Sequence, residues 1–283
     1  MSRLTLLWYY GKNFLSLIFL KIKGGEFMKT RWLVTTILVP LLFLPAMAGA
    51  VGIDVAVGGW AQSPEGYVSY KPLAIADHLD LEQDARYDDE NRLAARVRID
   101  MPAIIPNIYL MATPMEFEGN GAKSANFNFG DQEFKASVPF YSKVKLDHYD
   151  VGLFYGLPLL KGATLNTLNL DLGIDARLID FEARVDQPTK GLAESTSETF
   201  VLPMVFAAVQ ITPVKALAIE AEGRGISYSG NHYYDFIGRL RFNIAGPLFI
   251  AGGYRYEDLS IDEKDIRAEV KIKGPFAEAG FSF

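Results

Sequence analysis

From Val51 to Phe283 apolar and polar residues alternate with a period of two, interrupted by polar or Pro/Gly-rich stretches. The plainest run sets Leu168, Leu170, Leu172, Ile174 and Ala176 against Asn169, Asp171, Gly173, Asp175 and Arg177. Successive side chains of a β-strand point to opposite faces, so such a run is a strand with one apolar and one polar face. The chain ends in the same way: Pro275, Ala277, Ala279, Phe281 and Phe283 share one face, and Phe276, Glu278, Gly280 and Ser282 the other. Strands are predicted over 51–62, 91–101, 107–117, 144–157, 165–181, 199–211, 216–228, 232–245, 247–259 and 268–283. Each is about the length a tilted membrane-crossing strand needs, roughly 9–11 residues. No amphipathic helix is predicted after residue 50.

The expected fold is therefore all-β: a transmembrane antiparallel up-and-down β-barrel of about ten strands, with eight or twelve as alternatives because 120–140 has room for a further hairpin. The connections support it. Pro102–Pro106, Pro158–Gly162, Thr212–Lys215 and Gly246–Pro247 are brief, whereas 63–90, 118–143, 186–198 and 260–267 are long and polar, the 229–231 connection being the exception. Short periplasmic turns and long outer loops are the usual asymmetry of outer-membrane barrels, and they put both ends of the barrel on the periplasmic side. A soluble lipocalin-like barrel would turn its apolar face inward instead.

The first fifty residues read differently. Met28-Lys29-Thr30-Arg31, the apolar run Trp32–Leu44 and then Pro45-Ala46-Met47-Ala48-Gly49-Ala50 make a secretory signal peptide over 28–50, with cleavage after Ala48 or Ala50. Residues 1–27 are expected to be a non-native leader from a mis-assigned start, since Lys23-Gly24-Gly25-Glu26 is encodable by a purine-rich ribosome-binding sequence. The barrel domain is then 51–283. The chain has 28 Lys+Arg against 34 Asp+Glu; residues 1–50 hold six of the former and only Glu26 of the latter, so the remainder is more acidic, at net −11. Such a charge repels nucleic acid. The absence of cysteine excludes disulfides and thiol chemistry.

Several segments in order, among them Gly58-Gly59-Trp60, Ser63-Pro64-Glu65-Gly66, Asp147-His148-Tyr149-Asp150, Ala221–Tyr228, Gly252-Gly253-Tyr254-Arg255-Tyr256 and Lys273-Gly274-Pro275-Phe276, carry a resemblance over 49–283. With them the chain resembles a family of uncharacterised proteobacterial outer-membrane β-barrel proteins. The resemblance implies a fold and an outer-membrane location, and brings no activity or site residues. A terminal aromatic on an alternating strand also resembles the barrel-assembly signal of such proteins, which here is Phe281 and Phe283.

The polar face supplies the candidate chemistry. Arg96, Arg98, Asp100, His148, Asp150, Asp171, Asp175, Arg177, Glu220, Glu222, Arg224, Arg239, Arg241, Arg255 and Glu257 are all expected to face the lumen. Buried charges must pair or be hydrated, so these groups either brace the wall as salt bridges or line a narrow pore. Bulky inward positions, Phe154, Leu202, Met204, Phe206, Phe249 and Phe276, either pack the interior or line a route for apolar molecules. Asp77, Asp80, Glu82, Asp84, Asp88, Asp89 and Glu90 form an acidic loop without EF-hand spacing, read as a solvated loop with divalent-cation binding as the alternative. His148 with Asp147 and Asp150, and His232 with Asp235, are the only candidates for a rim hydrolase; no nucleophile elbow, zinc spacing or phosphate loop is present. The expectation is a structural or surface-interaction barrel with a salt-bridged lumen. Alternatives are a channel for small or hydrophobic molecules and a rim hydrolase. No catalytic residue, cofactor or metal is expected. The expected partners are outer-membrane lipid, lipopolysaccharide and the barrel-assembly machinery.

Overall fold

In the computed structural model, which describes residues 51–102, 104–165, 167–263 and 265–283, the alternating segments pair with their neighbours in chain order. Residues 1–50, and with them the expected leader and signal peptide, lie outside the described residues. The strands are β1 (Gly52–Tyr70), β2 (Leu79–Asp80), β3 (Glu90–Asp100), β4 (Asn107–Thr113), β5 (Glu116–Gly121), β6 (Phe127–Phe129) and β7 (Gln132–Phe134). They continue as β8 (Phe140–Gly156), β9 (Leu168–Gln187), β10 (Leu192–Val214), β11 (Leu217–Tyr228), β12 (Asn231–Ala245), β13 (Leu248–Glu263) and β14 (Ile266–Ser282). β4 and β5 both pair with β8 and act as one wall strand broken around Pro114. Because β14 pairs back onto β1, the result is a closed antiparallel barrel of ten strands.

The seam of that closure is irregular at one point. Pairing of β1 with β14 runs through Trp60↔Phe276 and resumes at Ser63↔Lys273. Pro275 has no N–H to give the ladder, and the Trp60 indole Nε1–H donates to the Gly274 carbonyl at 3.2 Å instead. Gly274 is required here, since a Cβ would stand 1.7 Å from the Ala61 carbonyl oxygen.

The strands are taller than expected from sequence. The predicted polar loops 186–198 and 260–267 are mostly strand, closed by tight turns, and 63–70 and 140–143 extend their strands as well. The reason lies in which face is apolar. On β9 the inward residues are Asn169, Asp171, Asp175 and Arg177, followed by Ile179, Phe181, Ala183 and Val185; the outward ones run Leu170, Leu172, Ile174, then Asp180, Glu182, Arg184. Parity is unbroken while polarity inverts after Arg177. β14 does the same: Lys271 and Lys273 face out above Ala277, Ala279 and Phe281, while Val270 and Ile272 face in above Glu278.

The barrel thus has two halves. Near the start of β1 and the end of β14 it is apolar outside, with Val151, Leu172, Ile174, Val205, Phe236 and Leu240 exposed, as a membrane-crossing barrel presents. Toward the opposite rim it is polar outside and apolar within. There Phe127, Phe129 and Phe134 of the β6–β7 hairpin pack with Leu79, Leu81, Phe117, Phe140 and Phe181 into a buried core that fills the mouth. A short helix, α1 (Pro158–Ala163), replaces the expected plain turn, started by Pro at its first position. The β11–β12 turn uses Ser229 and Gly230, both at positive φ, the pair of conformations a two-residue hairpin of matching twist requires.

Candidate functional site: the ion-paired lumen

Below the apolar mouth the lumen is crossed by two tiers of ion pairs. In the upper tier Arg177 donates Nε to Asp150 Oδ1 at 2.6 Å and Nη2 to Asp150 Oδ2 at 3.0 Å and Asp235 Oδ2 at 2.6 Å. Arg224 donates to Asp235 at 3.2 Å and to Glu222 at 3.1 Å. Arg255 donates to both oxygens of Asp235, at 3.0 and 2.8 Å, lies 2.7 Å from Glu257, and reaches Thr113 Oγ1 at 2.9 Å. The Tyr233 hydroxyl donates to Glu257 at 2.6 Å. Asp150, Arg177, Arg224, Asp235, Arg255 and Glu257 are buried, Glu222 is partly so and shared with the tier below, and strands β8, β9, β11, β12 and β13 each contribute at least one of the buried six.

The lower tier joins Arg96 to Glu278 (2.7 Å) and Asp54 (3.2 Å), Arg239 to Glu222 (2.5 Å) and Glu220 (3.1 Å), and Arg241 to Asp54 (2.5 Å). Arg98 bonds Asp171 and Asp100 at 2.8 and 2.9 Å. Asp175 is inward and buried but joins none of these ion pairs. Between the tiers is a cavity of about 30 Å³, against Trp60, Arg96, Arg239, Arg255 and Glu278, room for about one or two waters. Toward the start of β1 and the end of β14 the lumen opens into a vestibule of about 270 Å³, bounded by Arg98, Asp100, Asp171, Gln210, Arg241 and Asn243 among others. The ion-paired tiers and the apolar mouth lie beyond it.

The inward aromatics do not form a continuous apolar path. Phe249 lies under Arg241 (3.8 Å) and Arg96 (5.8 Å), Phe154 under Arg98 (4.6 Å), and Phe206 and Tyr109 beside Arg224 (5.6 and 5.0 Å). Phe276 faces Arg239 at 5.9 Å, whereas Leu202 and Met204 belong to the mouth core. Ring faces attract cations, so these side chains cap the guanidiniums that the carboxylates bind edge-on.

The histidine candidates separate. His148 points inward; its Nδ1–H donates to the Leu146 carbonyl at 3.2 Å, which leaves Nε2 to accept from Arg255 at 3.2 Å. Asp147 points the other way, accepting from the Met115 N–H and lying 3.2 Å from Lys145. His148, Asp150 and Asp235 approach closely enough to suggest a metal site, but Arg177, Arg224 and Arg255 already occupy those carboxylates. His232 and Asp235 are three apart and so lie on opposite faces: Asp235 joins the lumen, and His232 sits outside, 3.4 Å from Asp258.

In the acidic loop the carboxylates serve the backbone. Asp80 Oδ1 accepts the Glu82 and Gln83 N–H groups, and Asp84 accepts the Asp80 N–H and lies 2.6 Å from Lys123. Asp77 Oδ2 accepts from the Leu73 and Ala74 N–H groups at 2.7 and 2.8 Å, and Oδ1 from the Asn128 N–H at 2.7 Å. Burial acts to raise its pKa, but these backbone bonds outweigh it and hold the carboxyl below its usual value.

Asp54, Asp235 and Glu278 were not among the lumen charges picked from sequence, although each shares the parity of its strand's inward residues. Tyr109, which donates to Glu222 at 3.0 Å, and Tyr233 carried no such signal, because a tyrosine suits either face.

No protein-family model and no curated protein matches the chain. Among solved structures it is similar to the attachment invasion locus protein Ail of Yersinia pestis, at 13% identity over 83% of this chain and 100% of that one, with a TM-score of 0.37. It is also similar to the outer membrane protease OmpT of Escherichia coli (11% identity, 85% and 98% covered, TM-score 0.44). A third is the translocator domain of the autotransporter NalP of Neisseria meningitidis (11% identity, 90% and 96% covered, TM-score 0.42). At these identities the barrel assignment rests on the strand pairing itself, and no role passes from these proteins to this chain.

Proposed function

We propose that the chain is a non-conducting outer-membrane barrel that holds a rigid, polar-walled extension above the outer leaflet for surface interaction. The observation that carries this reading is the inversion of polarity on single strand faces. The apolar belt near the start of β1 and the end of β14 suits lipid, while the opposite half is built like a soluble barrel, with an apolar interior and a charged wall. From Ile179 to Gln187 on β9 the wall stands clear of the belt, which at about 3.3 Å per residue and a tilt of about 40° is roughly 20–25 Å. Such an extension has no use inside the bilayer, and reaches past lipid headgroups.

Closure supports the non-conducting part. Guanidiniums and carboxylates meet directly across the lumen, and the mouth is packed with phenylalanines. With the start of β1 and the end of β14 on the periplasmic side, the vestibule faces the periplasm and the filled mouth faces outward. Phe281 and Phe283 then lie at the periplasmic edge of the closing strand, where the Phe283 N–H donates to the Ile53 carbonyl, a placement suited to presentation to assembly machinery. The reading gives His148 a bracing part, since both its ring nitrogens are engaged.

The test is single-channel recording of purified barrel in planar bilayers. The expected result is no stable conductance steps; sustained ohmic steps from folded, heat-modifiable protein would overturn the closed-lumen reading.

A further inference from the structure

Asp175 is the lumen carboxyl that the ion pairs leave out. Strand parity sends it inward from β9 with Asp171 and Arg177, between Gly152 on β8 and Met204 on β10. Gly152 has no side chain, so the carboxyl lies close over it: a Cβ there would stand 3.0 Å from Asp175 Oδ2 and 3.3 Å from the Tyr109 Cβ. Asp175 is 3% exposed. Among the described residues it is the one carboxyl group whose two oxygens are both sealed from water and both without a hydrogen-bond donor. A carboxylate that neither a donor nor water reaches is strongly disfavoured against its neutral acid.

The charges around it are already matched. Arg177, Arg224 and Arg255 pair with Asp150, Asp235 and Glu257, three against three, and Glu222 is shared between Arg224 and Arg239. Facing Asp175 itself are Asp150 from β8, Arg177 from its own strand and Arg224 from β11. The neutral Tyr109 approaches from β4 and the neutral Met204 from β10, while Asp171, further along β9, is held by Arg98. A further negative charge would therefore be in excess, and beside Asp150 it would be repelled.

We propose that Asp175 is a proton-binding site of the lumen, held as the neutral acid and donating its hydrogen to Asp150, so that the two carboxyl groups share one proton and one charge. The donation fits Asp150, whose two oxygens have lone pairs to spare beyond the bonds from Arg177. The brace is thereby linked to pH. With the proton in place, Asp175 ties β9 to β8 by a hydrogen bond and the tier is electrically balanced. Loss of the proton replaces that bond by repulsion between two buried carboxylates, and the tier loosens as the medium becomes alkaline.

Urea unfolding in phospholipid vesicles at a series of pH values, wild type beside Asp175→Asn, tests this. Asparagine keeps the shape and still donates to Asp150, but cannot titrate. An aspartate in the unfolded chain is ionised above about pH 4, so a barrel that holds Asp175 neutral takes up one proton on folding and loses stability as pH rises. From about pH 5 to about pH 6 the wild-type midpoint should fall by roughly 0.7 M urea relative to that of Asp175→Asn, the shift one proton gives at an ordinary urea dependence. The histidines are the same in both proteins and cancel. Asp175→Leu, uncharged and near in volume, takes the place of the asparagine variant if that one misfolds. Infrared spectra give a separate reading: wild type at about pH 6 should show the carbonyl stretch of an un-ionised carboxyl, and the folded variant should lack that contribution. Midpoints that run parallel with pH, or a wild-type spectrum with carboxylate bands alone, would overturn the proposal and make Asp175 an ionised partner of Arg177 or Arg224. The second of these readings needs no variant at all.

Discussion

Replacing Arg177 with methionine tests whether the ion-paired tier braces the barrel. Methionine keeps much of the side-chain stem and removes every donor. Three short hydrogen bonds go, two to Asp150 and one to Asp235, along with the contact to Glu257 at 3.8 Å and the position 4.7 Å over the Tyr233 ring. Asp235 keeps Arg224 and Arg255, and Glu257 keeps Arg255, but Asp150 is left with Arg224 at 3.6 Å alone. Removing one partner of a buried pair costs about 3–5 kcal/mol, mostly through the stranded charge. With a urea dependence near 2 kcal/mol per molar, the unfolding midpoint should fall by roughly 1.5–2.5 M. The assay is urea unfolding in phospholipid vesicles, followed by fluorescence of Trp60, the one tryptophan after residue 50, and by heat-modifiable migration. Arg184→Met is the control: its pair with Asp186 at 3.0 Å is on the outer wall and half exposed, and should cost less than about 0.5 kcal/mol. Adding Asp150→Asn to Arg177→Met removes the stranded carboxylate and should recover part of the loss. If Arg177→Met shifts the midpoint no further than Arg184→Met, the bracing argument is wrong.

Two further outcomes follow from the ends of the barrel. Deleting Phe281-Ser282-Phe283 removes the ladder partners of Asp54 and Val55 and the reciprocal bonds between Phe283 and Ile53; cells should accumulate little heat-modifiable barrel in the outer membrane, and a normal folded band would refute the role in closure. At the rim, the Asp77 carboxyl is held below its unfolded value of 3.8. A depressed folded pKa means its support is complete above that value and is lost as pH falls through the folded one. Hydrogen exchange at Leu73 and Ala74, corrected for intrinsic rates, should therefore stay protected from about pH 6 to about pH 4 and rise only below; loss of protection between pH 6 and 5 would point to another group.

The wall of this barrel was legible from the chain because strand geometry is local. A period of two places Asp171, Asp175 and Arg177 on one face and Leu170, Leu172 and Ile174 on the other wherever the strand ends up. That is why the ten membrane-height strands and the inward charges could be picked without coordinates. Strand ends were misjudged for the same local reason. Phe181, Ala183 and Val185 alternate with Glu182, Arg184 and Asp186 as regularly as the residues before them, but with charge outside, and the segments beyond read as loop. Parity cannot say which side of the wall is lipid, water or protein core.

Only the closed ring decided the partners. Arg177 meets Asp150 and Asp235 from 27 and 58 positions away, and Arg96 meets Glu278 across 182. Nothing in a strand's own pattern selects which opposing charge it will face, because that depends on shear, on closure of β14 against β1, and on what else fills the lumen. The same holds for the mouth, where Phe127, Phe129 and Phe134 are three aromatics in a polar stretch until the hairpin folds in among Leu79, Phe117 and Phe181. The chain by itself determined a one-side-apolar sheet that closes; tertiary structure decided which charges pair across its lumen and which side chains fill its mouth, since burial and charge pairing are properties of the space between strands.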